Sequence, residues 1–189
     1  MPPRVVLTRA NKEGGLPMSG ISSELANTVT GERADFLQML AKHRGFLRFT
    51  VRDLTDEQAN LRTTVSELTL GGLIKHVAVT ERGWANFIVG GAAAMFSEPV
   101  DWAAQFSMKE SETLADLLER YEEVARRTDE LVATADLDES HPLPEAPWFE
   151  QGASWSNRRV LMHIIAETSQ HAGHADIIRE TLDGSKSMG

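Results

Sequence analysis

The sequence contains no cysteine among its 189 residues. This absence excludes disulfide bonds, zinc sites built on thiolates, and cysteine nucleophiles. Any metal site in this chain would therefore have to use histidine, aspartate and glutamate. Several common motifs are also missing, because the sequence has no Walker A loop, no GxGxxG, no GxSxG and no HExxH. It also lacks paired Glu-x-x-His motifs, which argues against a ferritin-type di-iron site.

Positive charge is scarce. Lys and Arg total 19 against 28 for Asp and Glu, so the formal net charge is −9. Because no basic run is present, we expect no nucleic-acid partner. No apolar run reaches the roughly 18 residues of a membrane span. The first twenty residues also lack the apolar stretch of a signal peptide. The expected protein is thus cytoplasmic and has no membrane partner.

Domain organisation is predicted from the distribution of proline, glycine and apolar periodicity. Residues 1–20 are rich in proline and glycine and are expected to form a flexible extension before a single domain over 21–189. Helical periodicity predicts four long helices in that domain. Thr30 is the predicted cap of the first helix, and Gly90-Gly91 the predicted end of the second. The helices should cover about 31–52, 66 or 69 to 89, 113–133 and 156–182.

The predicted fold is an all-α four-helix bundle. Helices of this length would be about 30 Å long, and their amphipathic faces must be buried against one another. The connections at residues 92–110 and 134–155 are long, so they act as crossovers rather than tight hairpins. Three prolines between His141 and Trp148 predict an extended segment in the second of these connections.

Polar groups cluster on the last predicted helix. At about 100° per residue, Glu167, His171 and His174 lie roughly 40°, 80° and 20° from His163. All four side chains therefore share one arc, which apolar residues flank on both sides. Imidazoles and a carboxylate facing a bundle interior would cost several kcal/mol unless they were paired or bound to a metal. The pattern thus favours a divalent metal site, although a solvated polar face would give the same spacing.

A further ligand should come from a facing helix, and His76 is the candidate. It lies in a mostly apolar segment of the second predicted helix, where a hydrogen-bonded core histidine is the alternative. Three protein ligands plus water would leave an open position, as in catalytic zinc sites. The remaining histidines are expected elsewhere, His43 at the surface and His141 in a loop. The aromatic pair Trp148-Phe149 could line a pocket.

Two segments resemble the DinB-like metalloprotein superfamily. They are Leu70-Gly-Gly-Leu-Ile-Lys-His76 with Glu81-Arg-Gly-Trp84, and Glu167-Thr-Ser-Gln-His171-Ala-Gly-His174 with the residues that follow to Glu180. The resemblance covers about residues 30–184 and is strongest to an actinobacterial branch related to mycothiol-dependent enzymes. It implies a four-helix bundle with a nonstandard connection order and one divalent metal held by a triad.

The resemblance implies a metal triad of His76, Glu167 and His171, with glutamate in place of the first histidine of the usual pair. His174 takes the position of a non-ligand glutamine, so His174 or His163 could instead join the triad. Zinc is the expected metal, and nickel, iron or manganese would also fit these ligands. The implied activity is a thiol S-transferase or isomerase that uses a low-molecular-weight thiol and an electrophilic substrate. His174 and His163 are the candidate catalytic residues, for orienting ligands or transferring protons.

Two other function classes fit the same residues. A non-catalytic metal-binding bundle, for stress response or partner binding, would close the fourth metal position with His174 or His163. A metal-dependent hydrolase would use the metal-bound water as its nucleophile. We expect a monomer or a homodimer in each case.

Overall fold

The computed structural model describes residues 29–95, 97, 101 and 104–187. Within them, four long helices form the bundle that the sequence predicts, and the expected extension over residues 1–20 lies outside the described part. The helices are α1 (Glu32–Phe49), the short α2 (Asp56–Ala59), α3 (Leu70–Met95), α4 (Leu114–Thr134) and α5 (Asn157–Asp183). The strands β1 (Ser140–Pro142) and β2 (Ser154–Ser156) form a small antiparallel pair.

Most helix ends follow the capping signals of the sequence. The hydroxyls of Thr113 and Ser156 accept hydrogen bonds from backbone N–H groups in the first turns of α4 and α5. Thr69 does the same for α3, because its Oγ1 accepts from the N–H of Gly72 at 3.0 Å. α5 ends at Gly184, whose φ of 80° is the left-handed conformation that favours glycine.

One predicted helix start is wrong, and one predicted helix end is an interruption. α1 is preceded by Gly31 rather than capped by Thr30, and the chain enters the helix through a glycine with a φ of 60° and no side-chain cap. The Gly90-Gly91 pair has non-helical backbone angles, as the sequence predicts for a helix end, but a second helical stretch follows this bend to Met95. Gly91 has a φ of 66°, and a Cβ there would lie 3.3 Å from the His141 ring. The bend therefore lets the β1 strand approach α3 closely.

The packing order places α3 and α5 side by side in the bundle. α5 packs against α1 and α3, and α3 also packs against α4. Two apolar clusters fill the interior, one around Leu73, Ile74 and Tyr121 and one around Trp84 and Ile164. No helix of the described residues is both long and apolar enough to span a bilayer.

A buried ionic network crosses the bundle, and its central residue was not predicted. Arg44 follows the expected surface residue His43 in the sequence, yet it is only 4% exposed. Its guanidinium donates to the carboxylates of Glu81 on α3 and Asp129 on α4. Burial alone would lower the pKa of Arg44, but the two carboxylates raise it above its usual value. The network links three helices with charge-assisted hydrogen bonds.

Candidate metal centre

Three of the predicted ligands converge where α3 faces α5. His76, Glu167 and His171 each offer one ligand atom, and these atoms all lie within 4.8 Å of one another. The His171 Nε2 is 3.4 Å from the Glu167 Oε2, and the rings of His76 and His171 are 4.8 Å apart between centroids. Glu167 and His171 share one face because they are four residues apart on α5. The packing of α3 against α5 then brings His76 to them.

The donor set fits a divalent cation. Two imidazoles and one carboxylate are nitrogen and oxygen ligands that zinc and related metals accept. Burial and the neighbouring His171 lower the pKa of His76, which favours its neutral, ligating form. The hydrogen bond with His171 lowers the pKa of Glu167, which favours the carboxylate. Both groups are thus held in the protonation states that metal binding requires.

Gln105 orients the His76 ring, and sequence reasoning missed it. The Nδ1 of His76 donates a hydrogen bond to the Gln105 Oε1 at 3.0 Å, which leaves Nε2 with its free lone pair. The Phe106 ring lies against His76, with 4.5 Å between the ring centroids. No signal in the sequence points to Gln105, because it lies in a connection without periodicity, 29 residues from His76.

The segment that carries Gln105 is tied to the start of α3. Phe106 O accepts hydrogen bonds from both the backbone N–H and the hydroxyl of Thr69. The Lys75 ammonium donates to Ser107 O at 3.1 Å. A Cβ at Gly72 would lie only 1.9 Å from Phe106 O, so glycine is required for this close approach. These contacts fix the position from which Gln105 reaches His76.

The two candidate catalytic histidines lie next to the triad but outside its group of converging ligand atoms. The His163 Nε2 is 3.7 Å from the Glu167 Oε1, and its ring makes edge contacts with both Trp84 and Trp155. Burial lowers the pKa of His163. The His174 Nδ1 is 3.4 Å from the His171 Nδ1. Both residues can therefore orient a ligand, His163 through Glu167 and His174 through His171.

The remaining histidines lie away from the triad. His43 is partly exposed on α1 and makes an edge contact with Phe46. His141 belongs to β1, pairs with Trp155 in the strand register and packs against Phe87. It contributes to the packing of the strand pair on α3 and lies in a strand rather than in the predicted loop.

Two cavities border the triad, and they share His76, Val79 and Gln105. One has a volume of about 200 Å³, and the ion pair of Lys75 and Glu112 is among its lining residues. The other has a volume of about 410 Å³ and is walled mainly by aromatic side chains. A larger cavity of about 980 Å³ opens between the end of α1 and the start of α4, but no triad residue lines it. Molecules that react at the triad would therefore bind in the two smaller cavities.

The helical bundle is the architecture of the DinB-like superfamily, to which the chain belongs as the sequence resemblance implied. Within that superfamily, the model of the mycothiol-S-transferase family matches residues 35–184, and the chain belongs to this family. No curated protein and no solved structure matches the chain.

Proposed function

We propose that this chain is a metal-dependent S-transferase that joins mycothiol, or a closely similar low-molecular-weight thiol, to an electrophile. The family match supports the thiol-transfer chemistry. The observation that supports metal dependence most directly is the convergence of one ligand atom each from His76, Glu167 and His171 within 4.8 Å. A cytosolic thiol as cosubstrate would agree with a cytoplasmic location.

His76, Glu167 and His171 would hold the ion, with zinc preferred and nickel, iron or manganese compatible with the same donors. When bound, a divalent ion lowers the pKa of a coordinated thiol and so favours the nucleophilic thiolate near neutral pH. Gln105 holds the proton of His76 on Nδ1 and so presents Nε2 to the centre. His163 and His174 would orient Glu167 and His171, and each could accept or return a proton at its ring nitrogens.

The geometry favours an open catalytic centre over a closed structural one. A structural metal site needs a fourth protein ligand, whereas the group of converging ligand atoms holds three residues in the described part of the chain. The two cavities that meet at His76 offer room for two different molecules beside the triad. Transfer between a thiol and an electrophile needs two such spaces, whereas a hydrolase needs a site for only one organic substrate.

The test compares thiol conjugation by the metal-loaded protein with that of His76→Ala. We expect the variant to lose most of its metal and its activity, because one of three ligands is removed. His43→Ala is the matched control, since this histidine lies on α1 and outside the triad. Equal activity in His76→Ala and the parent protein would remove the proposed mechanism. Hydrolysis of ester or amide substrates without any thiol conjugation would favour the hydrolase instead.

A further inference from the structure

The larger of the two cavities beside the triad is lined by an unusually large number of aromatic side chains. It is lined by Trp84, Trp148, Phe149 and Trp155, and its volume of about 410 Å³ is in the range that holds small organic molecules. His76 and Glu167 of the triad line the same cavity. A molecule bound there would thus lie against the aromatic walls and next to the candidate metal centre.

The aromatic side chains form one connected series from solvent to the triad. Trp148 lies 6.1 Å from Phe149 between ring centroids, and Phe149 lies 5.9 Å from Trp155. Trp155 stacks on Trp84 at 5.0 Å with an interplanar angle of 12°. Both indoles contact His163, whose Nε2 is 3.7 Å from Glu167. Trp84 is buried, so the series is anchored at its inner end.

Trp148 is the exposed member of this series. It is 71% exposed although it lines the cavity, so part of its indole is open to a ligand. A rigid indole at the mouth of a cavity can stack on a planar ligand at little cost in conformational entropy. The exposed face of the Trp148 indole is therefore available for a ligand to cover.

The side chains of the aromatic cavity offer little to an ionic ligand. Its lining residues in the described part of the chain include no lysine or arginine, so apart from the proposed metal ion an anionic group would find no salt-bridge partner there. Its one carboxylate belongs to Glu167, which already faces His163 at 3.7 Å and His171 at 3.4 Å. The cavity is therefore suited to a neutral molecule.

The cavity on the other side of His76 differs in its side chains, because its described lining has charged residues and no Trp, Tyr or Phe. Lys75, Glu112 and Arg120 are among its lining residues, and the Lys75 ammonium is 2.7 Å from the Glu112 carboxylate. These charged groups can hydrogen-bond to a ligand, but the described residues of this cavity offer no Trp, Tyr or Phe ring for stacking. Of the two cavities beside His76, the aromatic one is thus the better site for an aromatic ring.

We infer that the aromatic cavity binds the electrophilic substrate, and that this substrate is a neutral, planar aromatic compound stacked on Trp148. The reaction, though not the binding, rests on the proposed function. With an aryl chloride, the thiol loses its proton to solvent and a sulfur electron pair forms the new bond to carbon. Chloride then leaves with the electron pair of the broken carbon–chlorine bond.

Binding is tested by calorimetric titration of the purified protein with 1,3-dinitrobenzene, an unreactive planar probe, in the absence of thiol. We expect Trp148→Ala to weaken binding about three- to tenfold, the value of one aromatic stacking contact, and Trp148→Phe to retain it. Leu61→Ala is the matched control, because Leu61 is also an exposed apolar side chain but does not line the cavity. Absence of binding to the parent protein, or equal binding by Trp148→Ala, would overturn the inference.

Kinetics separate this inference from the proposed function. With mycothiol as the thiol, Trp148→Ala should raise KM for 1-chloro-2,4-dinitrobenzene about three- to tenfold, as expected for binding, and leave kcat nearly unchanged. KM for iodoacetamide, which is small and not aromatic, should stay constant. If KM for both electrophiles rises equally, the aromatic specificity is wrong and the transferase activity stands. If the probe binds but neither electrophile is conjugated, the transferase proposal fails and the aromatic site remains.

Discussion

Replacement of Gln105 by alanine should weaken metal binding without removing any ligand atom. In the structure, the Gln105 Oε1 accepts a hydrogen bond from the His76 Nδ1 at 3.0 Å and so fixes both the tautomer and the ring orientation. Loss of such a supporting hydrogen bond typically weakens metal affinity by about 10- to 100-fold. That range corresponds to about 1.4 to 2.7 kcal/mol of binding free energy.

The assay is a competitive zinc titration against a chromophoric chelator. Gln105→Ala should raise the apparent Kd for zinc by about 10- to 100-fold. Gln105→Glu should largely restore the affinity, because a carboxylate also accepts a hydrogen bond from the His76 Nδ1. Gln151→Ala serves as the control, since this glutamine is exposed in the connection between the two strands. Unchanged zinc affinity in Gln105→Ala would refute the argument that this hydrogen bond sets the ligating nitrogen of His76.

Three stability predictions follow from the fold, each measured by urea unfolding at neutral pH. Gly72→Ala should lower the free energy of unfolding by about 1–3 kcal/mol, because its Cβ would lie 1.9 Å from a backbone carbonyl oxygen. Gly173→Ala, which has open space on α5, should raise the free energy of unfolding by about 0.5–1 kcal/mol. Arg44→Ala should cost about 3–5 kcal/mol, since two buried carboxylates would lose their cation; a loss below 1 kcal/mol would contradict this. Ser156→Ala should lower the free energy of unfolding by about 1 kcal/mol, because Ser156 caps α5. Thr30→Ala should leave it almost unchanged, because Thr30 caps no helix.

Apolar periodicity predicts the helices of the bundle well because each long helix must bury one face. The arc of polar groups on α5 likewise predicts that Glu167 and His171 lie together, since side chains four residues apart are neighbours on any helix. The placement of His76 opposite them depends on which helices pack together. That order is not encoded in local spacing. The sequence proposes His76 because it lies in a mostly apolar segment of another helix, and the resemblance to the DinB-like superfamily supports that choice.

The missed features depend on contacts between distant segments. Arg44 sits in a polar stretch of sequence, but Glu81 and Asp129 make its burial favourable only once three helices have met. Gln105 gains its role through the anchoring of its segment on Thr69 and Gly72. The helical stretch after Gly90-Gly91 was also missed, and the break at these glycines makes room for β1.

The strand pair was also missed, although the extended character of its segment was predicted. Prolines between His141 and Trp148 exclude helix, but they do not specify the partner strand. The pairing of His141 with Trp155 arises because α5 begins directly after β2 and brings the two segments together. This pair presents Trp155 to the aromatic cavity beside the triad.

The central claim is that His76, Glu167 and His171 bind one divalent metal ion. Elemental analysis of protein purified without a metal-chelating tag tests it most directly. We expect close to one equivalent of a divalent transition metal per chain, with most of it lost in His76→Ala and in Glu167→Gln but retained in His43→Ala. A folded parent protein without metal, or equal metal content in all of these variants, would show that these three residues do not bind the ion.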